Sequence, residues 1–163
     1  MYVKMIVLND IKIKFTDDVL NTMRKYIQWK KTDMGAGGIL IGRENISNGY
    51  IIIDFITEPM KNDLCTRMRF TRKDPAHLLF YKKLYDKNNG VYAYFGEWHT
   101  HPVNNPRYSS IDLGNWKKIA RKDPKNIQYH IIVGRNTITF WKMKKEYLFP
   151  KLIKGKRQIK RCI

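Results

Sequence analysis

The segment Glu97-Trp98-His99-Thr100-His101-Pro102, followed after six residues by Ser109-Ser110-Ile111-Asp112, restricts the fold more than any other stretch of this chain. Residues 91–99 (VYAYFGEWH) read as an aromatic-rich strand, Pro102 ends it, and a polar Pro/Asn loop follows over 102–108. Ser109 or Ser110 then caps a helix that runs to about Lys122. In an extended strand residues i and i+2 share a face about 7 Å apart, so His99 and His101 can converge on one ion. Asp112, in the first helical turn, brings an oxygen to the same place, and three protein donors with a fourth position open to water form the pattern of a catalytic zinc site. Each piece also has an ordinary reading. Alternate histidines at a strand end are often half-exposed polar residues, and Ser-x-x-Asp is a capping box that starts many helices without chemistry. The combination of histidine pair, strand-ending proline, loop and Ser/Asp helix start is what favours the metal.

The remaining pattern fills in one α+β domain. Val3–Phe15 alternates as one or two strands around Asn9-Asp10, and Thr16-Asp17-Asp18 starts an amphipathic helix to about Lys31. Gly35–Gly42 is a strand opened by glycines, and residues 50–57 (YIIIDFIT) follow the Ser47-Asn48-Gly49 turn as its partner. Residues 59–66 read as irregular and 68–72 (MRFTR) as a short strand. Asp74-Pro75 opens a helix carrying Leu78, Leu79, Tyr81, Leu84 and Tyr85, closed by Asn88-Asn89-Gly90. Strands over 127–133 and 136–142 flank Gly134-Arg135 as a hairpin. The expected architecture is a mixed, mostly antiparallel sheet flanked by helices, with a domain over 1–142 and a basic tail over 143–163.

With 163 residues, 43% hydrophobic and 28% charged, the chain has the profile of a single domain able to fold without disulfides. Cys65 and Cys162 stand far apart with no metal-type spacing and read as reduced, incidental thiols. No apolar run reaches the ~18 residues of a membrane helix, and the amino terminus lacks a leader pattern, so a cytoplasmic protein without a membrane partner is expected. His77 and His130 read as structural, while Trp98 and Trp116 are placed to pack around the metal loop.

On residues 99–112, which match H-[ST]-H-P-x6-S-x-x-D at each defined position, the chain resembles the JAMM/MPN metallopeptidases. AGGILIG (36–42) is similar to that family's early glycine strand. Residues 66–102 (TRMRFTRKDPAHLLFYKKLYDKNNGVYAYFGEWHTHP) resemble the short bacterial JAB branch, so the likeness spans about residues 12–142. The resemblance implies that His99, His101 and Asp112 bind Zn2+ and that Ser109 donates a hydrogen bond to a developing oxyanion. It also implies a substrate of isopeptide or peptide type, a ubiquitin-like protein or conjugated target laid along an exposed strand edge. E1- and E2-like proteins and a nucleotidyltransferase of antiphage defence are the implied companions.

The sequence departs from the pattern at one position. The family's general-base glutamate precedes the second glycine of the pair by three residues, and that slot holds Gly35. Asp33 and Glu97 share strand parity with Gly35 and His99 and are the carboxylates available to substitute. The glycine is compatible with a natural pseudoenzyme or an introduced change, and with a non-catalytic MPN-type binding module in place of an isopeptidase. Arg67, Arg69 and Arg72, with Phe70 between them, read as a partner-binding strip at the cleft or as a solvated edge. The charge balance of 32 Lys plus Arg against 14 Asp plus Glu, a net +18, adds nucleic acid as a partner on charge alone.

Overall fold

The structure, a computed structural model, describes residues 3–8, 11–45 and 47–158, with side chains over 12–45 and 47–153. In chain order the elements are β1 (Val3–Leu8), β2 (Ile11–Thr16), α1 (Asp17–Lys25), β3 (Gly37–Asn45), β4 (Tyr50–Ile56), β5 (Leu64–Thr66) and β6 (Arg69–Thr71). They continue with α2 (Ala76–Lys87), β7 (Ala93–Thr100), α3 (Ser110–Lys122), β8 (Gln128–Val133), β9 (Thr137–Met143) and β10 (Lys151–Gln158). Eight strands form one sheet in the order β1-β2-β4-β3-β7-β8-β9-β10, and β5 with β6 forms a separate ribbon. Only the β2–β4 and β7–β8 pairs are parallel. The sheet curls until its two outer strands approach one another, the mixed, mostly antiparallel architecture expected from the sequence.

The strands of the second half are covered on both faces, which explains why residues 128–133 (QYHIIV) show no polar alternation. Ile131 and Val133 join α1 and the concave core of Phe15, Leu20, Met23, Leu40, Ile53 and Phe140. Ile132, on the opposite face, packs with Trp116, Ala120, Trp141 and Met143 beneath α3. The layer of α3 is therefore bonded to the rest by apolar burial, and its first turn is set beside the end of β7. At the other side of β7, close pairing with β3 depends on Gly37, where a Cβ would fall 2.4 Å from Trp98 O and 2.5 Å from the Phe70 ring.

Three local expectations differ from what is observed. The first helix stops at Lys25 rather than about Lys31, because Ile27 and Gln28 turn inward and are buried. Residues 64–66 are a strand, not irregular, since β6 supplies a partner. On α2, Leu78 and Leu79 are exposed and His77 is buried. Within the segment expected as a tail, Lys151–Gln158 pairs antiparallel with β9 and Ile153 enters the core. The Asn9-Asp10 turn and Cys162 lie outside the described residues.

Ile153 gives a direct test of that docking. Ile153→Ala is expected to cost about 2–5 kcal/mol and to lower the melting temperature by roughly 5–15 °C. Calorimetry of the variant checks this, and an unchanged transition would mean that β10 is not part of the core.

Candidate metal centre

Strand alternation at the end of β7 decides which side chains face the site. Trp98 and Thr100 are buried, whereas Glu97, His99 and His101 point to the opposite, partly open face. Thr100 holds the strand from behind: its hydroxyl donates to Gln28 Oε1 at 2.8 Å and accepts the Ala36 N–H at 3.0 Å. Gln28, fully buried, also donates from Nε2 to Asp33 O and Arg67 O. His101 N–H donates to Val133 O at 3.0 Å, so both edges of the histidine-bearing segment are tied. The sequence offered no periodic signal for Gln28. Its role shows only once the chain between α1 and β3 is seen to fold under the site.

The two imidazoles converge. His99 Nε2 lies 3.0 Å from His101 Nε2, and Asp112 places Oδ1 3.1 Å from His99 Nε2 and Oδ2 3.3 Å from His101 Nε2. A tetrahedral zinc with bonds of ~2.0–2.1 Å separates its ligands by roughly 3.3 Å, so these spacings suit one ion held by all three residues. Among the described residues this is the group of His, Cys, Asp or Glu whose ligand atoms cluster in this way. Burial pushes the Asp112 carboxyl up, but hydrogen bonds from His101, His99 and the Ser109 N–H outweigh it and hold the group well below the usual carboxylate range.

Ser109 is both N-cap and neighbour of the site. Its N–H and its hydroxyl donate to Asp112 Oδ2 at 2.7 and 2.8 Å, and its Oγ accepts the Asp112 N–H at 3.2 Å. The capping box and the metal geometry are thus one arrangement: the bonds that start α3 also aim its carboxylate. Behind the ligands Trp116 stacks on His130, with ring centroids 4.4 Å apart and planes 9° from parallel, and lies 6.4 Å from the His99 ring.

A cleft opens beside His99 and Asp112, bounded by Phe70 and Arg72 of the ribbon side and by Asn115 and Lys118 of α3. Of the carboxylates considered as substitutes, Glu97 lines this cleft and its Oε1 accepts from Arg72 Nε at 2.7 Å. Asp33 stands apart from it and caps a turn through the Lys30 N–H. The three arginines are likewise separated. Arg72 is in the cleft, Arg67 donates to Lys30 O on the far side of the ribbon, and Arg69 is exposed. Gly35 carries its N–H to Thr66 O at 2.7 Å, and a Cβ there would meet Thr66 O at 3.0 Å and the Arg69 carbonyl at 3.2 Å. The ribbon backbone lies against the slot in which the family pattern places a carboxylate.

Comparison with known proteins shows the family. The family described as prokaryotic homologs of the JAB domain matches residues 28–144. The chain belongs to that family. A protein of Pseudomonas aeruginosa named CD-NTase/cGAS isopeptidase is 30% identical over 131 residues, covering 80% of this chain and 82% of the relative. A protein of the same name from Escherichia coli is 33% identical over 130 residues, covering 79% and 80%. One from Vibrio cholerae is 28% identical over 149 residues, covering 85% and 92%. A solved structure of a Desulfitobacterium hafniense protein shares the fold, with a TM-score of 0.57 at 19% identity over 89% of this chain and 88% of that one.

Two outcomes are expected from this site. The protein should take up close to one zinc per chain, and His99→Ala or Asp112→Ala should lose most of it. Elemental analysis reads the result, and equal zinc in all three would remove the metal assignment. Separately, His130 is fully buried with no partner for either ring nitrogen, and burial followed by repulsion from His99 pushes it down to about 3 from 6.5. Between those values the unfolded chain binds the extra proton, so stability should fall as pH drops from about 6.5 towards 3, by up to roughly 4 kcal/mol. Denaturant melts across that range should be flatter for His130→Leu, and identical slopes would contradict the assignment.

Proposed function

We propose that this chain is a zinc isopeptidase that releases a conjugated protein of the CD-NTase class from its target, with turnover slowed by the glycine at 35. The observation that carries the reading is the convergence of His99, His101 and Asp112 at the mouth of a cleft walled by the ribbon and α3. The relatives' shared name, CD-NTase/cGAS isopeptidase, supplies the substrate class. A defence setting in the cytoplasm, with E1- and E2-like partners, follows from the same reading.

Zinc, when bound, supplies polarisation of a carbonyl and a water acidified towards neutral pH. The chain's own residues do the rest. His99 and His101 would hold the ion through Nε2, and Asp112, kept ionised by its hydrogen bonds, would supply the anionic ligand. Ser109 would be the residue to stabilise charge on the substrate oxygen, at the cost of the hydroxyl bond it gives Asp112. Arg72, with 22% of its side chain exposed, presents its guanidinium to a bound chain while Nε stays on Glu97. The missing function is proton transfer from the attacking water to the leaving amine, for which no carboxylate stands at 35.

The second reading, a binding module that engages such conjugates without cutting them, is favoured by the ribbon backbone packed against Gly35. One experiment separates the two. With a CD-NTase conjugate as substrate, the unmodified chain should cleave slowly, and Gly35→Glu should raise the rate by a factor of order 10²–10⁴ if the ribbon yields a few tenths of an ångström. Gly35→Gln imposes the same crowding without a base and should give no gain. Equal rates for the Glu and Gln variants, with conjugate still bound, would establish the binding module.

A further inference from the structure

An imidazole anchors α2 to the sheet. His77 is fully buried in its first turn, while Leu78, Leu79 and Phe80 beside it face solvent. His77 Nδ1 lies 2.5 Å from Thr57 Oγ1, and Nε2 lies 2.6 Å from Asp63 Oδ2. The side chains of His77 and Asp63 expose no surface. Donor accounting sets the protons. Asp63, a carboxylate that accepts three backbone N–H groups, takes the Nε2 proton, which leaves Nδ1 of the neutral ring to accept from the Thr57 hydroxyl, whose Oγ1 accepts the Ile39 N–H at 2.9 Å.

Each end of this chain of bonds reaches something that matters for the cleft. Asp63 accepts the Met60 N–H on Oδ2 and the Lys73 and Asp74 N–H groups on Oδ1, which closes the base of the loop containing β5 and β6. Thr57 O accepts from Trp98 Nε1 at 2.9 Å, one residue before His99. The loop so closed carries Phe70 and Arg72, the cleft wall. With only three residues per strand, and with Leu64 and Met68 exposed, this ribbon buries too little to hold its own position. At its tip it is tied by the Gly35 N–H to Thr66 O and by Gln28 to Arg67 O.

We propose that His77 is a positioning residue: with Thr57 and Asp63 it latches the base of the ribbon and so sets where Phe70 and Arg72 stand beside the metal ligands. An apolar side chain at 77 would fill the space but would not select one placement, because only the hydrogen bonds are directional. The inference rests on the reading of this cleft as the substrate site, and not on turnover.

Cys65, on β5 and half-buried, reports ribbon placement. In a Cys162→Ser background, the rate of Cys65 modification by a disulfide reagent is measured together with amide exchange in β8 and β9 and with zinc content. His77→Gln, whose polar atoms both sit at one end of the side chain and so can serve Asp63 but not Thr57 at the Nδ1 position, should raise the Cys65 rate tenfold or more. Thr57→Val should do the same, and Thr57→Ser, which keeps the hydroxyl, should not. Zinc content and protection in β8 and β9 should stay at the unmodified level. Unchanged Cys65 rates in the folded variants would overturn the proposal. So would a rise matched by equal loss of protection in β8 and β9, or failure of both His77→Gln and Thr57→Val to fold. Absence of zinc from every version would count against the isopeptidase reading alone.

Discussion

Two imidazole nitrogens 3.0 Å apart repel through their lone pairs unless a proton or a cation lies between them, and the fold spends several independent bonds to keep them there. Thr100 and Gln28 hold β7 from beneath, Val133 holds His101 from the side, and Asp112 closes the third corner from the start of α3. Asp112 is itself aimed by the capping box it shares with Ser109. The helix cannot begin elsewhere without moving the carboxylate, and the carboxylate cannot move without uncapping the helix. A local rule of helix termination and a requirement of metal geometry are met by the same atoms, which is why so short a sequence pattern carries so much of the site.

The ribbon of β5 and β6 walls the cleft. It is the element that faces both Gly35 and the cleft, and its position decides how much room remains beside the ligands. Where the family pattern has a carboxylate, this chain has a glycine whose N–H donates to the ribbon and whose hydrogen side is packed by Thr66 and Arg69 backbone. Glu97 lines the cleft together with Asp112, and Arg72 pairs with it. The ribbon thus separates Gly35, which lines a cavity with Asp33 and Cys65, from the cleft of His99 and Asp112.

The fold class and the convergence of His99, His101 and Asp112 are legible because they rest on local patterns: alternation in β7, a proline stop, and a capping box. What escaped notice was long-range. The early end of α1 follows from Gln28, a polar residue whose burial is satisfied by carbonyls of Asp33 and Arg67, the latter 39 positions away in sequence. Helical periodicity cannot register such a partner. His77 reads as structural from the sequence, and only its partners, Thr57 and Asp63, go unregistered for the same reason. β10 reads as a basic tail because its charge conceals Ile153, whose partners lie across the sheet. The apolar strands, by contrast, declare themselves, being buried on both faces.

The central claim is that two histidines and one carboxylate of this chain form a single metal centre. X-ray absorption at the zinc edge of the loaded protein tests it most directly. The account predicts four light-atom neighbours at ~2.0–2.1 Å with the outer-shell scattering of two imidazoles. A sulfur shell near ~2.3 Å, or scattering from three or more imidazoles, would contradict it.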